Sequence, residues 1–172
     1  PSPSPSPSPS PAFGGEILQK SGMHAYILDV GQGSCAFLRS PGGYTMLVDA
    51  GESSCYPVVE AFLEAQGVKK LDVVVASHPH SDHIGSMPKI IENYEIGAFY
   101  GGKDATIPWD PLVRVNILSP FKGVGYEEIN NVSVVLRVAY EDTSILLPGD
   151  AEALAEETML AKLPRSAFPS SV

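Results

Sequence analysis

The hydrophobic pattern along the chain changes its period several times, from the alternation typical of strands to the three-to-four-residue spacing typical of helices. Strands are predicted over residues 24–30, 34–39, 44–49, 71–77, 96–100, 112–118, 132–140 and 143–147. Helices are predicted over residues 57–66, 83–94 and 151–163. This order of elements favours a layered α/β fold, and the uninterrupted apolar segment 71–77 predicts a strand that is buried on both faces.

The first eleven residues alternate strictly between proline and serine. Such a sequence cannot form a packed core and is typical of an extended, semi-rigid spacer. We expect a Pro/Ser-rich linker over residues 1–15, a folded domain over residues 16–163 and an irregular tail over residues 164–172. A spacer of this kind favours an extracellular or cell-surface-tethered protein, and an arbitrary low-complexity terminus is the alternative.

The composition is that of a globular protein, with 44% hydrophobic and 18% charged residues. A net charge of −9 disfavours nucleic acid as a partner, although bound divalent ions would offset part of this charge locally. No apolar run approaches the length of a membrane-spanning segment. The two cysteines, Cys35 and Cys55, lack the spacing of zinc ligands, and a single disulfide between them is the alternative to two free thiols.

Three of the four histidines lie within six positions, directly after the predicted strand 71–77. Residues two apart at a strand end point the same way, so His78 and His80 can offer their imidazoles to one metal ion. Asp82 and His83 open the next predicted helix and can reach a second ion. Because zinc and similar ions prefer imidazole and carboxylate ligands, the cluster predicts a metal site, and a polar loop with coincidental histidines is the alternative.

Two aspartates close to glycines mark the ends of predicted strands, Asp49 as the final residue of the third strand and Asp150 shortly after the last strand. Carboxylates in such places can project into one shared edge of a sheet. Asp150 could bridge two ions because each of its oxygens can serve one metal, and Asp49 could orient a ligand histidine from behind. Taken singly, each aspartate would instead be interpreted as the cap of a turn. The fourth histidine, His24, begins the first strand and is expected to be structural.

These motifs together resemble a known family. They are Asp29 to Gly33, Leu47 to Gly51, the histidine cluster with Ile84-Gly85, Asn130 to Arg137, and Leu146 to Asp150. In that order they resemble the ComEC/Rec2-like, competence-related subgroup of the metallo-β-lactamase-fold hydrolases, over about residues 23–163. The resemblance implies an αββα sandwich with a dinuclear metal site at the sheet edge. His78 and His80 would bind the first ion, Asp82 and His83 the second, and Asp150 would bridge them.

The resemblance also implies a metal-dependent hydrolase that cleaves phosphodiesters through a metal-activated water, with two zinc ions and manganese as the alternative metal. Asp82, which could steer or accept a proton from that water, is the predicted catalytic residue. Asp49, Asp29, Asn131 and Ser133 are predicted to support the ligands or to face the substrate. A turn ahead of a strand explains Asn131 and Ser133 equally well. Small β-lactam, thioester or lactone substrates are alternatives to the phosphodiester.

The sequence departs from the family's pattern in two places. Members usually continue to a further strand and a His-His-Gly-Ser motif that supplies another metal ligand, whereas no histidine follows His83 here. The family's Gly-Gln-Gly-Asp is Gly-Gln-Gly-Ser34 in this chain. We therefore expect a fold that is incomplete at its C-terminus, with an unpaired sheet edge. A truncated, non-catalytic remnant with a partial metal site is the alternative to an enzyme.

Overall fold

A computed structural model of the protein describes residues 22–102 and 106–168. The predicted linker over residues 1–15, the beginning of the predicted domain and the last four residues of the predicted tail lie outside the described residues. The division of the chain into linker, domain and tail therefore stays a prediction.

Nine strands and four α-helices make up the described regular structure, together with short 3-10 turns. The strands are β1 (His24–Ile27), β2 (Ala36–Arg39), β3 (Thr45–Val48), β4 (Lys70–Val75), β5 (Glu95–Tyr100), β6 (Thr106–Ile107), β7 (Val113–Ser119), β8 (Val135–Tyr140) and β9 (Thr143–Leu147). The helices are α1 (Tyr56–Ala65), α2 (Ser81–Ile84), α3 (Met87–Asn93) and α4 (Ala153–Lys162). Sheet A has the strand order β1-β2-β3-β4-β5, and sheet B has the order β6-β7-β8-β9.

Three clusters of buried side chains show how the sheets and helices are layered. Along β2 the side chains alternate, so that Phe37 packs with Phe62 of α1 while Leu38 packs with Leu136 of the other sheet. A third cluster joins sheet B to α4 through Val135 and Met159. The layers are therefore helix, sheet, sheet and helix, and the predicted αββα sandwich is confirmed.

The central strand of sheet A is buried on both faces, as its uninterrupted apolar sequence predicts. β4 runs parallel to β3 on one side and to β5 on the other. Val74 packs into the cluster under α1 and α3, whereas Val73 and Val75 pack between the sheets. The strand ends at Val75 rather than at residue 77. The hydrogen-bond ladder between β3 and β4 stops at Val75, and the amide of Ser77 bonds to a side chain instead of to the backbone of β3. The amide of Ser77 donates to the side chain of Asp49 at 2.8 Å.

The helix predicted over residues 83–94 is two helices in the structure, α2 and α3. Pro88 lies in the first turn of α3, where a missing N–H costs no hydrogen bond, and it could not continue a helix from α2. Between the two helices the chain passes close to the 3-10 turn that precedes α1. A Cβ on Gly85 would lie 2.5 Å from the backbone nitrogen of Ser53. The prediction of one continuous helix was wrong because it followed the spacing of the apolar residues and did not allow for the break that Pro88 causes.

The described part of the chain has two free cysteines and no helix that is long and apolar enough to span a membrane. Cys35 is buried in the cluster under α1, and burial, followed by the nearby charge of Asp49, raises the pKa of its thiol to about 12. Cys55 donates to the backbone oxygen of Val30 at 3.2 Å. A thiol with such a raised pKa is a poor nucleophile, so Cys35 is a core residue.

Candidate metal site

The ends of two neighbouring parallel strands create the site. Asp49 follows β3, and the histidine segment follows β4, so both leave sheet A at the same edge. Asp49 has a left-handed backbone with φ of 59°, and its N–H donates to the oxygen of Val75 at 2.9 Å. The amide of Ala50 donates to the carbonyl of His83 at 2.7 Å. These backbone bonds fix the two segments to each other before any ligand is considered.

Three side chains converge at this edge, namely His78, His83 and Asp150, and their ligand atoms lie within 4.8 Å of one another. The His83 Nε2 atom lies 3.2 Å from one carboxylate oxygen of Asp150, and the His78 Nε2 atom lies 3.9 Å from the other. Both imidazoles are buried, whereas the carboxylate is 42% exposed. Each oxygen of Asp150 thus faces a different histidine, which is the arrangement that a bridging carboxylate requires.

His80 lies beside this group, and Asp82 lies at its periphery. The Nδ1 atom of His80 is 3.0 Å from the Nε2 atom of His78. Two nitrogens that bind one zinc ion at about 2.0–2.1 Å in tetrahedral geometry would lie about 3.3–3.4 Å apart, so the observed separation is shorter by only a few tenths of an ångström. Asp82 is half-buried in the first turn of α2, and its carboxylate is outside the convergent group. Its charge nevertheless contributes to raising the pKa of His83, so it lies within electrostatic reach.

Asp49 orients His83 from behind. One of its oxygens accepts from the Ser77 amide at 2.8 Å, and the other is 2.7 Å from the Ser77 hydroxyl and 2.8 Å from His83 Nδ1. Burial opposes protonation of His83, but the hydrogen bond and the charge of Asp49 outweigh it and raise the pKa of the imidazole. Burial, and then the neighbouring His83, lower the pKa of His78. His83 therefore holds a proton to higher pH than an ordinary imidazole does, whereas His78 loses its proton at lower pH.

The remaining predicted residues lie around the site in supporting positions. Asp29 is exposed, and its carboxylate accepts from the Gly31 amide at 3.1 Å within a turn. The side-chain oxygen of Asn131 accepts from the amides of Glu152 and Ala155 at 3.2 and 3.1 Å, which satisfies the N-terminus of α4. The Ser133 hydroxyl accepts from the Asp150 amide at 3.2 Å and so holds the backbone of that ligand.

Two further residues, Ser77 and Gly149, belong to the site, although they are not among the residues predicted from the sequence. Ser77 is buried, and its hydroxyl contacts Asp49, His78 and His83. Gly149 has a left-handed backbone with φ of 56°, and an added Cβ would lie 3.0 Å from that of Ser77. A glycine directly before a candidate ligand is a weak signal of close packing. A serine beside histidines gives no signal at all.

The Gly-Gln-Gly loop supports the short helix α2. The Ser34 amide donates to the carbonyl oxygen of Asp82 at 3.2 Å. Gly33 has φ of 108°, and a Cβ at this position would overlap the same carbonyl group. The glycine is therefore required because the loop touches the backbone that carries Asp82 and His83.

A family model described as the metallo-β-lactamase superfamily matches residues 28–130. That range is more than half of the chain and contains Asp49 together with the whole histidine cluster. This chain belongs to the metallo-β-lactamase superfamily. The family prediction is thereby confirmed.

Curated relatives of this superfamily domain include two bacterial proteins. Competence protein ComA of Neisseria gonorrhoeae is 29% identical over 146 residues, which cover 79% of this chain and 21% of the relative. Probable metallo-hydrolase YhfI of Bacillus subtilis is 31% identical over 77 residues, which cover 45% of this chain and 30% of the relative. The chain thus spans less than a third of the length of either relative.

A solved structure of the superfamily shares the fold. A HARLDQ-motif mutant of the metallo-β-lactamase from Cronobacter sakazakii superposes with a TM-score of 0.53 at 13% identity. The superposition covers 73% of this chain and 62% of the other. At this identity the likeness shows the fold alone.

The donor set of this superfamily domain fits a zinc-class metal. Two buried imidazoles and a carboxylate converge on one point, and imidazole and carboxylate are ligands of zinc and of related borderline ions. The other ring nitrogen of His83, Nδ1, lies 2.8 Å from a carboxylate oxygen of Asp49, and a carboxylate in this position is the common support of a metal-binding histidine.

Proposed function

We propose that this chain is a metal-dependent hydrolase whose substrates are phosphodiesters. The observation that carries the proposal is the convergence of His78, His83 and Asp150 at the edge of sheet A. His78 and His80 would hold the first ion, Asp82 and His83 the second, and Asp150 would be shared between them. Zinc is the proposed metal, and manganese is the alternative.

The protein's own residues would bind and orient the reactants. A bound zinc-class ion supplies Lewis acidity and makes water a competent nucleophile near neutral pH. Asp49 and Ser133 would hold His83 and the backbone of Asp150, with which they already form hydrogen bonds. Asp82, half-buried beside His83, would accept or steer the proton of the attacking water.

The resemblance of Gly31-Gln32-Gly33 and of Asn130-Asn131 to the ComEC/Rec2-like subgroup supports phosphodiesters as the substrate class, and the chain's negative charge favours a small substrate over a long nucleic acid. Glu52 accepts from the Ser81 hydroxyl at 2.9 Å, and Glu152 accepts from Asn130 at 2.8 Å. These carboxylates flank the site on a chain whose net charge is −9, so a long polyanion would be repelled. As part of the same proposal, the protein would be extracellular or tethered to the cell surface, and the Pro/Ser stretch would be the spacer that precedes this domain.

The test is metal content together with turnover. The purified protein should carry close to two zinc or manganese ions per chain and should hydrolyse bis(4-nitrophenyl) phosphate. His80→Ala should abolish turnover. His24→Ala is the matched control, because His24 lies at the start of β1 next to Tyr26, and it should retain turnover.

The outcomes separate the parts of the proposal. Metal-loaded protein that turns over neither a phosphodiester nor a β-lactam, thioester or lactone is not a hydrolase of the proposed kind. Turnover of one of the latter three alone would replace the substrate class and keep the hydrolase.

A non-catalytic protein with a partial metal site is the second candidate. The observation that favours it is that Asp82 lies outside the convergent group of the described residues. Metal analysis would then give well under one tightly held ion per chain, with no change in His78→Ala. Two tightly bound ions would exclude this candidate.

A further inference from the structure

Ser77 lies at the centre of the hydrogen bonds behind the candidate ligands. Its hydroxyl oxygen is 2.7 Å from Asp49 Oδ2, 3.0 Å from His78 Nδ1 and 3.2 Å from His83 Nδ1. Its backbone is held on both sides, because its N–H donates to Asp49 at 2.8 Å and its carbonyl accepts from the Val134 amide at 2.9 Å. The side chain is buried, so these partners do not have to compete with solvent.

The positions of the protons follow from what each partner can donate. A hydroxyl has one hydrogen and two lone pairs, whereas an ionised carboxylate can only accept. The Ser77 hydrogen therefore goes to Asp49, and the Ser77 oxygen can only accept from the two rings. A ring nitrogen that faces this oxygen must carry a hydrogen, because two lone pairs would otherwise meet. This places a hydrogen on Nδ1 of both His78 and His83.

The opposite nitrogens are then free to bind a metal ion. With hydrogens on Nδ1, the Nε2 atoms of His78 and His83 carry lone pairs, and these are the atoms that face Asp150. The Nε2 atom of His78 can also accept from the Nδ1 atom of His80, which is 3.0 Å away. The contacts of both Nδ1 atoms and of His80 agree with this assignment. The contact of 3.2 Å between His83 Nε2 and Asp150 Oδ1 joins a lone pair to a carboxylate, so it calls for a cation there, either a metal ion or a second hydrogen on the ring.

We propose that Ser77 is a positioning residue, whose one hydroxyl holds His78 and His83 in the tautomers that present both Nε2 atoms to a metal ion. The two histidines depend on it to different degrees. His83 also donates to Asp49 at 2.8 Å, whereas Ser77 is the partner that the structure gives for Nδ1 of His78. Loss of the hydroxyl should therefore release His78 and leave His83 in place. The metal-binding consequence rests on the proposed function, but the tautomers do not.

The first experiment measures the tautomers in the metal-free protein. Nitrogen-15 spectra of histidine-labelled protein distinguish a hydrogen on Nδ1 from one on Nε2 when the ring is neutral. Because the pKa of His83 is raised above its ordinary value, the spectra are recorded at increasing pH until both rings are neutral. We expect Nδ1–H for both rings in the wild-type protein. In Ser77→Ala, His78 should shift to a mixture or to Nε2–H, while His83 keeps Nδ1–H. Ser77→Thr, which retains the hydroxyl, should restore the wild-type spectrum.

The second experiment measures zinc affinity by competition with a chromophoric chelator. Loss of a residue that orients a metal-binding histidine typically lowers affinity 10–100-fold, and we expect a loss of about this size in Ser77→Ala. The matched control is Ser40→Ala, which removes another buried hydroxyl, one that accepts from the Tyr44 amide at 3.0 Å in the β2–β3 turn. It should leave zinc affinity and the spectra of His78 and His83 unchanged.

An unchanged His78 tautomer in Ser77→Ala would overturn the proposal, and so would equal zinc losses in Ser77→Ala and Ser40→Ala. If Ser77→Ala does not fold, Ser77→Cys replaces the hydroxyl with a slightly larger thiol that is a weak acceptor, and it should release His78 in the same way. Wild-type protein that binds no zinc would defeat the proposed function, while the tautomers of the metal-free protein would still decide the role of Ser77.

Discussion

Sheet A and sheet B contribute to the candidate site in different ways. From the edge of sheet A come Asp49, His78 and His83, all buried and joined through Ser77 in one hydrogen-bonded network. From sheet B comes Asp150, whose carboxylate is 42% exposed. One side of the site is therefore pre-organised, and the other is open to solvent. The difference shows where orientation is built in and where an ion or a substrate can enter.

The strand directions explain this difference. β3 and β4 are parallel, so the segments that follow them leave sheet A at the same edge and can bond to each other. Sheet B is antiparallel throughout, and successive strands end at opposite edges. Its contribution is confined to the end of β9 and to the turn before β8. Metal affinity should depend on both sheets, whereas the stability contributed by the site should come almost entirely from sheet A.

The largest expected effect is that of Asp49→Ala. This change leaves two buried donors of Ser77 and one of His83 without their acceptor. Breaking such a buried charged network costs about 3–5 kcal/mol in the free energy of unfolding, which denaturant titration of the metal-free protein measures. Asp49→Asn is the control, because asparagine tolerates the left-handed backbone and still accepts, and it should cost less. Equal losses in the two variants would contradict the network.

The next effect should separate two glycines of the same loop. Gly33→Ala places a Cβ against the carbonyl of Asp82, whereas Gly31→Ala meets no atom within 4 Å. Both positions have positive φ, so both variants should lose about 1 kcal/mol through strain. Gly33→Ala should lose about 1–3 kcal/mol more and should weaken zinc binding as α2 shifts. Thermal denaturation and chelator competition measure these two effects. Equal melting temperatures and equal zinc affinities in the two variants would show that the loop does not support α2.

A smaller effect is expected far from the site, at Asp110. Its buried carboxylate accepts from the Gly42 amide at 2.8 Å and from the Leu112 amide at 2.7 Å, which joins the β6–β7 connection to the β2–β3 turn. Burial acts to raise its pKa, but hydrogen bonds from Ser40, Leu112 and Gly42 outweigh burial and lower the pKa below its ordinary value of 3.8.

The sign of the pH dependence follows from that lowered pKa. The stabilisation by Asp110 is fully present above the ordinary pKa and is lost as pH falls through the folded-state pKa. Asp110→Asn should therefore be less stable than wild type by about 1–2 kcal/mol near neutral pH, and the gap should close in acid. Chemical denaturation at several pH values measures this difference in the free energy of unfolding. A gap that widens in acid would contradict the assignment, and zinc affinity should not change at neutral pH.

The smallest effect on stability is expected from Asp150→Asn. Because the carboxylate is exposed, the free energy of unfolding of the metal-free protein should stay within about 0.5 kcal/mol of wild type. Zinc affinity, measured by chelator competition, should nevertheless fall at least about tenfold. Asp142→Asn, at the exposed turn between β8 and β9, should change neither quantity. An Asp150→Asn variant that binds zinc as wild type does would remove sheet B from the site.

The sequence predicts the parts of this molecule in which neighbouring residues carry the signal. The apolar run of β4 and the spacing of His78, His80 and His83 are both local. The structure buries β4 on both faces and brings the three imidazole rings together, while their role as metal ligands stays a prediction. The two-residue strand β6 has too few residues to show a period. Ser77 could not be recognised, because its role arises only when β3 and β4 bring Asp49 beside it.

Asn131 is a second residue whose role the sequence alone does not decide. Its sequence context suits either a turn or a substrate contact, and the tertiary structure directs its side chain to the N-terminus of α4. The α4 residues that it caps lie more than twenty positions away. Long-range contacts of this kind leave no period in the sequence.

The left-handed backbone at Asp49 restricts which amino acids this position can accept. Glycine, asparagine and aspartate adopt a φ near 59° most readily, and side chains with a branched Cβ are strongly disfavoured. Of these three, glycine has no acceptor, and asparagine gives up one of two acceptor oxygens that serve three donors. Aspartate is thus the amino acid that meets both the backbone requirement and the acceptor requirement at position 49. A library randomised at this codon and selected for folded, zinc-binding protein should return aspartate almost alone.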